Sequence, residues 1–119
     1  MAKKKKGASL PSKAQVEEFE MLFELLKSLS LELNEFAKKK PDDALNKLKI
    51  KMVNRVLEKV KNVLKLEATN EFLDLLDEES IPSNSDAVII IGQFQAAMRH
   101  FKEMYFGYDG GTQRWFTND

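Results

Sequence analysis

One histidine, His100, is the first candidate for acid–base chemistry in this 119-residue chain, and it directly follows Arg99. Some all-helical nucleases place an arginine and a histidine several residues apart around a cleft. Neighbouring residues on a helix point about 100° apart, so Arg99 and His100 do not reproduce that arrangement. We therefore expect His100 to be a surface or half-buried residue, and a helical ribonuclease remains only a remote alternative.

Acidic side chains recur at helical spacing in one segment and could in principle face a metal ion. They are Glu67, Glu71, Asp74 and Glu78, with Asp77 beside them. A di-iron site in a helical bundle combines inward-facing glutamates with Glu-x-x-His pairs, and no histidine follows these acids at that spacing. The chain also has no cysteine, no glycine-rich phosphate loop and no nucleophile elbow. We predict no enzyme, no metal and no cofactor, and we infer no small-molecule substrate.

Basic side chains concentrate in two parts of the chain. Four lysines occupy positions 3–6, and residues 41–66 hold seven basic and three acidic side chains. Clustered cations release counterions when they bind a polyanion. Three observations argue against a nucleic-acid surface. The net charge is zero, and residues 67–86 hold seven acids and no base. Arginine is scarce, although it recognises bases better than lysine does. The candidate phosphate contacts are Lys47, Lys51, Arg55, Lys61 and Lys65.

The segment "GYDGGTQRWFTND" at the end of the sequence combines turn chemistry with a cluster of large side chains. Tryptophan and arginine are frequent at binding hot spots, so Arg114, Trp115 and Phe116 are the candidate partner-binding residues. Two interpretations stay open. Either the chain reverses at the glycines 110–111 and packs Trp115 and Phe116 onto the helices, or the three residues dock into a partner or a second copy.

The elements that must position these residues follow from apolar side chains recurring at helical spacing. Ser12 is the expected N-cap of the first helix, and Gly107 is the expected left-handed terminator of the last. Asp42 and Asp43 are expected in the first turn of the second helix, where the dipole favours carboxylates. The third segment is either a short helix or a kinked extension of the second, with Phe72 on its buried side. The predicted helices span residues 12–39, 41–66, 67–80 and 86–106.

Most large apolar side chains fall on one face of their predicted helix, including Leu48 and Met52 on the second helix. Four fall off the main apolar stripes, which favours an interface on the outer surface. These four residues are Met21, Leu31, Ile50 and Ile89.

Four amphipathic segments with short connections predict an all-α fold, an antiparallel four-helix bundle of regular or irregular form. The bundle domain spans residues 12–106, after a flexible lysine-rich tail of residues 1–11 and before a short, non-helical aromatic tail of residues 107–119. The longest apolar run, "AVIII", is too short to cross a membrane, and no apolar signal-peptide segment follows the lysines. We therefore expect a cytoplasmic protein without membrane contact.

The absence of catalytic patterns and the surplus of apolar and aromatic side chains favour one class of function. We expect a small, non-catalytic helical protein that binds other proteins as an adaptor, an assembly subunit or a regulatory partner, and that forms an oligomer. The alternative is an accessory nucleic-acid-binding subunit that uses the lysine tail and the basic second helix.

Overall fold

The computed structural model describes residues 10–119. Residues 1–9, which contain the lysines of the predicted flexible tail, lie outside the described residues. The described chain forms three α-helices and a β-hairpin, so the predicted all-α four-helix bundle is wrong. The elements are α1 (Lys13–Lys39), α2 (Lys47–Val63), a short 3₁₀ helix (Ala68–Phe72), α3 (Asn84–Tyr105), β1 (Phe106–Asp109) and β2 (Thr112–Trp115).

The first helix, α1, begins and ends close to the predicted positions. The Ser12 hydroxyl accepts a hydrogen bond from the backbone N–H of Gln15 at 3.0 Å, as expected of an N-cap. Pro11, placed in the flexible tail by the sequence, is buried, and its carbonyl accepts the backbone N–H of Asn118 at 2.9 Å. The described part of that predicted tail is therefore tied to the other end of the chain.

The second helix, α2, begins six residues later than predicted. Asn46 is its N-cap and accepts the backbone N–H groups of Leu48 and Lys49, so Asp42 and Asp43 do not lie in its first turn. Residues 41–46 instead connect α1 to α2 and contact the chain just before α3. Leu45 donates its backbone N–H to the Pro82 carbonyl at 2.9 Å. That tertiary hydrogen bond competes with helix formation at the start of the segment.

The segment predicted as a third helix is one 3₁₀ turn followed by a non-helical stretch, which we call the strap (residues 73–83). Asn54 of α2 donates its side-chain N–H to the Leu76 carbonyl and accepts the Leu76 N–H, both at 2.8 Å. The Lys61 ammonium donates to the Leu73 carbonyl. Because α2 side chains satisfy the Leu73 carbonyl and both backbone groups of Leu76, these groups need no helical hydrogen bonds. Phe72, predicted to be buried, is 66% exposed.

The third α-helix, α3, contains the "AVIII" run, which confirms the helical interpretation of that run. Ser83 caps it by accepting the Asp86 N–H at 3.1 Å. The chain passes from α3 directly into β1, and Gly107 lies buried in that strand. Within residues 10–119 positive φ angles occur only at Gly110 and Gly111, at 63° and 90°. The predicted terminator at Gly107 is therefore wrong, because the left-handed residues belong to the hairpin turn.

One core holds these elements together. It lies where α1 packs against α2 and α3, and Leu73 and Leu76 of the strap close it on a further side. Across residues 10–119, no helix combines the length and the apolar character that crossing a membrane requires. The grooves beside α1 include one against α2 and one against α3 and the hairpin.

Candidate protein-binding site

An open apolar groove of about 190 Å³ runs between α1 and α2. We call it the α1–α2 groove. Its flanks include Leu48, which is 67% exposed, and Met52, which is 48% exposed. Leu25, one helical turn before Leu29 on α1, is 47% exposed and extends the same apolar surface. The residues lining the groove are Leu29, Glu32, Leu33, Phe36, Asn46, Leu48, Lys49, Met52 and Val53.

The antiparallel packing of α1 on α2 builds this groove. At one end the Gln15 side chain donates to the Val63 carbonyl at 2.7 Å. At the other end the Lys49 ammonium lies 3.6 Å from the centre of the Phe36 ring, a cation–π contact that covers one face of the ring. The groove occupies the part of this interface near the second contact, between residues 29–36 of α1 and residues 46–53 at the start of α2.

The rotation of α2 about its own axis decides which of its apolar residues are exposed. Ile50, placed off the apolar stripe by the sequence, is 0% exposed, and Asn54 is only 5% exposed. Because the side of α2 that carries Ile50 and Asn54 is buried, Leu48 and Met52 lie at the exposed edge of the helix, although the sequence pattern predicted them on the buried face. The strap causes the difference, because it adds a packing partner on the Asn54 side that a helical wheel does not include.

A second and larger groove of about 430 Å³ lies between α1, α3 and the hairpin. Phe23, Phe106 and Tyr108 contribute aromatic surface to it, while Arg99 and Lys102 contribute positive charge. The Lys102 ammonium already lies 5.0 Å from the centre of the Phe106 ring. Glu103 lies among the basic residues of this groove, and Lys102 partly covers the Phe106 ring. The groove therefore favours no single class of ligand.

The aromatic residues near the end of the chain pack onto the helices. The Trp115 ring contacts Phe19 and Phe106, each at 5.4 Å between ring centres. Phe116 is 7% exposed, and its backbone N–H donates to the Tyr105 carbonyl at 2.7 Å. In the structure the chain therefore reverses at the glycines 110–111 and packs Trp115 and Phe116 onto the helices.

Arg114 stays on the exposed side of the hairpin, where its Nε donates to the Asp109 carboxylate at 2.6 Å. An exposed pair of this kind contributes at most about 1 kcal/mol to stability. A partner-binding role for Arg114, Trp115 and Phe116 stays a prediction. Of the three, Arg114 offers the most accessible side chain.

The basic residues proposed for nucleic-acid binding separate into two groups. Lys61 is half-buried and holds the strap through the Leu73 carbonyl. The strap also carries Asp74 and Asp77 alongside α2, which lowers the positive potential near the basic helix. Nucleic-acid binding stays a prediction, with a smaller accessible set than the sequence indicated. The exposed cations of the predicted set are Lys47, Lys51, Arg55 and Lys65.

The remaining residues considered for chemistry do not converge. His100 is exposed on α3. The acidic residues that we placed on a third helix are spread over a 3₁₀ turn and the extended strap, so they share no helix face. In the part of the chain that the structure describes, no cluster of three or more acidic or histidine side chains could hold a metal ion.

One buried titratable group pairs with an acid instead. The Tyr105 hydroxyl donates to both oxygens of the Glu67 carboxylate, at 3.1 and 3.2 Å. Burial raises the pKa of Tyr105 above its ordinary value, and the Glu67 charge and hydrogen bond raise it further. The pair fixes the chain after α2 to the end of α3, and it lies in no groove described above.

Comparison of the chain with protein-family models, with curated proteins and with solved structures finds no match. Function is therefore inferred from the surfaces of the chain itself.

Proposed function

We propose that this chain is a non-catalytic protein-binding domain and that the α1–α2 groove is its binding surface. The observation that carries the proposal is the exposure of Leu25, Leu48 and Met52 around an apolar groove, directly beside a fully buried core. Contiguous apolar surface of this kind marks interaction sites more often than isolated exposed residues do.

The free energy available from covering these three side chains supports the proposal. Full burial of a leucine or methionine contributes about 1.5–3 kcal/mol, and each of the three has about half of its surface left to cover. Together they contribute roughly 3 kcal/mol to association before the entropic cost of binding is subtracted. Phe36 and Leu29, which are half-buried in the groove, add to that figure.

Three further exposed apolar residues support a partner less well. Met21, Leu31 and Ile89 are exposed, but none of them lines a groove that the structure describes. Single exposed apolar residues are normal on soluble proteins. Ile89, on the outer side of α3, therefore provides a matched control for substitutions in the groove.

The test compares capture of proteins by three immobilised forms of the full chain: wild type, Met52→Glu and Ile89→Glu. From a lysate of the cells that make the protein, we expect at least one protein to be retained by wild type and by Ile89→Glu. The same protein should be reduced at least tenfold with Met52→Glu. Circular dichroism establishes that all three forms are equally helical. Equal retention by all three forms, or no retention above an empty matrix, would contradict the proposal.

A further inference from the structure

The two edges of the α1–α2 groove carry opposite charges. Positions 18, 21, 25, 28, 32 and 35 of α1 recur every three or four residues and form one stripe. These six positions contain three glutamates and no basic residue, and the Lys38 ammonium, beyond them on α1, lies 3.8 Å from the Glu35 carboxylate. The matching outer stripe of α2, at positions 48, 52, 55 and 59, contains two basic residues and no acid. We call them the acidic edge (Glu18, Glu32 and Glu35) and the basic edge (Arg55 and Lys59).

A face with one acidic and one basic edge is complementary to itself in one orientation. In a two-fold dimer both copies use the same surface. If the two-fold axis runs along the groove, α1 of each copy lies over α2 of the other, so an acidic edge meets a basic edge twice. If the axis runs across the groove, α1 lies over α1 and the glutamates repel one another. The apolar residues Leu25, Leu48 and Met52 lie on the same two stripes as these charges, so they face the other copy in both cases.

From this charge arrangement we infer that the groove binds a second copy of this chain, with α1 of each copy lying over α2 of the other. The inference rests on the proposed function, that the groove binds protein. The net charge of zero supports it, because two copies approach each other without long-range repulsion. From Leu48 to Lys59 of α2, the shared surface is about 17 Å long.

The test uses two charge-reversed forms of the full chain. The first carries Glu32→Lys and Glu35→Lys on the acidic edge, and the second carries Arg55→Glu and Lys59→Glu on the basic edge. Sedimentation velocity over a range of concentrations measures the dimer. We expect wild type to dimerise and each reversed form to dimerise at least tenfold more weakly, because each then opposes like charges.

An equimolar mixture of the two reversed forms should recover the wild-type dimer, because every edge again meets its opposite. Adding Met52→Glu to both forms should abolish this recovery, which separates pairing through the groove from attraction between oppositely charged proteins. Ile89→Glu in otherwise wild-type chain should leave the dimer unchanged.

Three results would overturn the inference: a wild-type chain that stays monomeric up to 1 mM, a mixture that does not recover the dimer, or recovery that survives Met52→Glu. The capture experiment distinguishes this failure from failure of the proposed function. If wild type is monomeric but a different protein is retained through the groove, only the second-copy inference is wrong. If nothing is retained through the groove either, both are wrong.

Discussion

Asn54 is the residue whose replacement most directly tests how the strap is held. Its side chain both donates to and accepts from the Leu76 backbone, at 2.8 Å in each direction, and both residues are buried. Asn54→Ala removes both the side-chain donor and the side-chain acceptor, and it leaves the buried N–H and carbonyl of Leu76 unsatisfied. Asn54→Leu removes the same hydrogen bonds while keeping most of the side-chain volume, so the two variants separate lost bonds from lost packing.

The expected magnitude follows from the two unsatisfied backbone groups. Each buried group left without a partner costs about 1–3 kcal/mol. Water that enters the space left by alanine recovers part of this, so we expect Asn54→Ala to lower the free energy of unfolding by about 3 kcal/mol. In a domain of this length that corresponds to a fall in melting temperature of roughly 10 °C. We expect Asn54→Leu to lose a similar amount, because it excludes water without restoring a hydrogen bond.

Denaturant unfolding followed by far-ultraviolet circular dichroism and by the fluorescence of Trp115 measures this change. Agreement between the two signals establishes a two-state transition. Asn62→Ala is the matched control, since Asn62 is an exposed asparagine on the same helix, and we expect a change within about 0.5 kcal/mol. Hydrogen exchange should show faster exchange at the Leu76 amide in both Asn54 variants. If Asn54→Ala matched Asn62→Ala in stability, the strap would not depend on these bonds and our account of its non-helical path would be wrong.

Three further predictions concern other parts of the molecule. Tyr105→Phe should lower the free energy of unfolding by about 1 kcal/mol at pH 7. Because the pKa of Tyr105 is raised in the folded state, the difference from wild type should shrink as the pH rises above about 10. A constant difference in unfolding titrations from pH 7 to 11 would refute that linkage. Gly111→Ala should destabilise the fold by about 1–2 kcal/mol, because the φ angle of Gly111 is 90°. Gly92 lies inside α3 with open space around its Cβ position, so Gly92→Ala should stabilise the fold by up to about 1 kcal/mol in thermal unfolding. Stability changes of the same sign for both variants would contradict the turn assignment. If the chain binds nucleic acid, its binding to duplex or single-stranded nucleic acid should weaken steeply with salt and be lost when four basic residues become glutamine. Absent or salt-independent binding would rule out this alternative function. Those four residues are Lys47, Lys51, Arg55 and Lys65.

Features that depend on neighbouring residues in the chain could be predicted from the sequence. The span of α1 and its Ser12 cap, the helical state of "AVIII" and the reversal at the glycines 110–111 each rest on interactions within about four residues. The same reasoning identified Trp115 and Phe116 as residues that could pack on the helices. It did not predict that residues 106–109 and 112–115 pair as strands, because Gly107 fitted a helix terminator equally well.

The candidate site was harder to predict because it depends on the rotation of α2. The helical pattern assigned Leu48 and Met52 to the buried face and Ile50 to the surface. A polar residue in the middle of an apolar arc, Asn54, was the available signal that another backbone packs there. Reading it required knowing that its partner is Leu76, which lies 22 residues away.

The sequence by itself determined that the chain forms amphipathic helices, where α1 begins, and where the final turn lies, because caps, apolar periodicity and positive-φ glycines act locally. Only the tertiary structure decided that the residues after α2 become a strap rather than a fourth helix. Their backbone groups can bond within a helix or to Asn54 and Lys61, and packing against α2 and α3 favours the second choice. That choice rotates α2 and leaves Leu48 and Met52 uncovered beside α1.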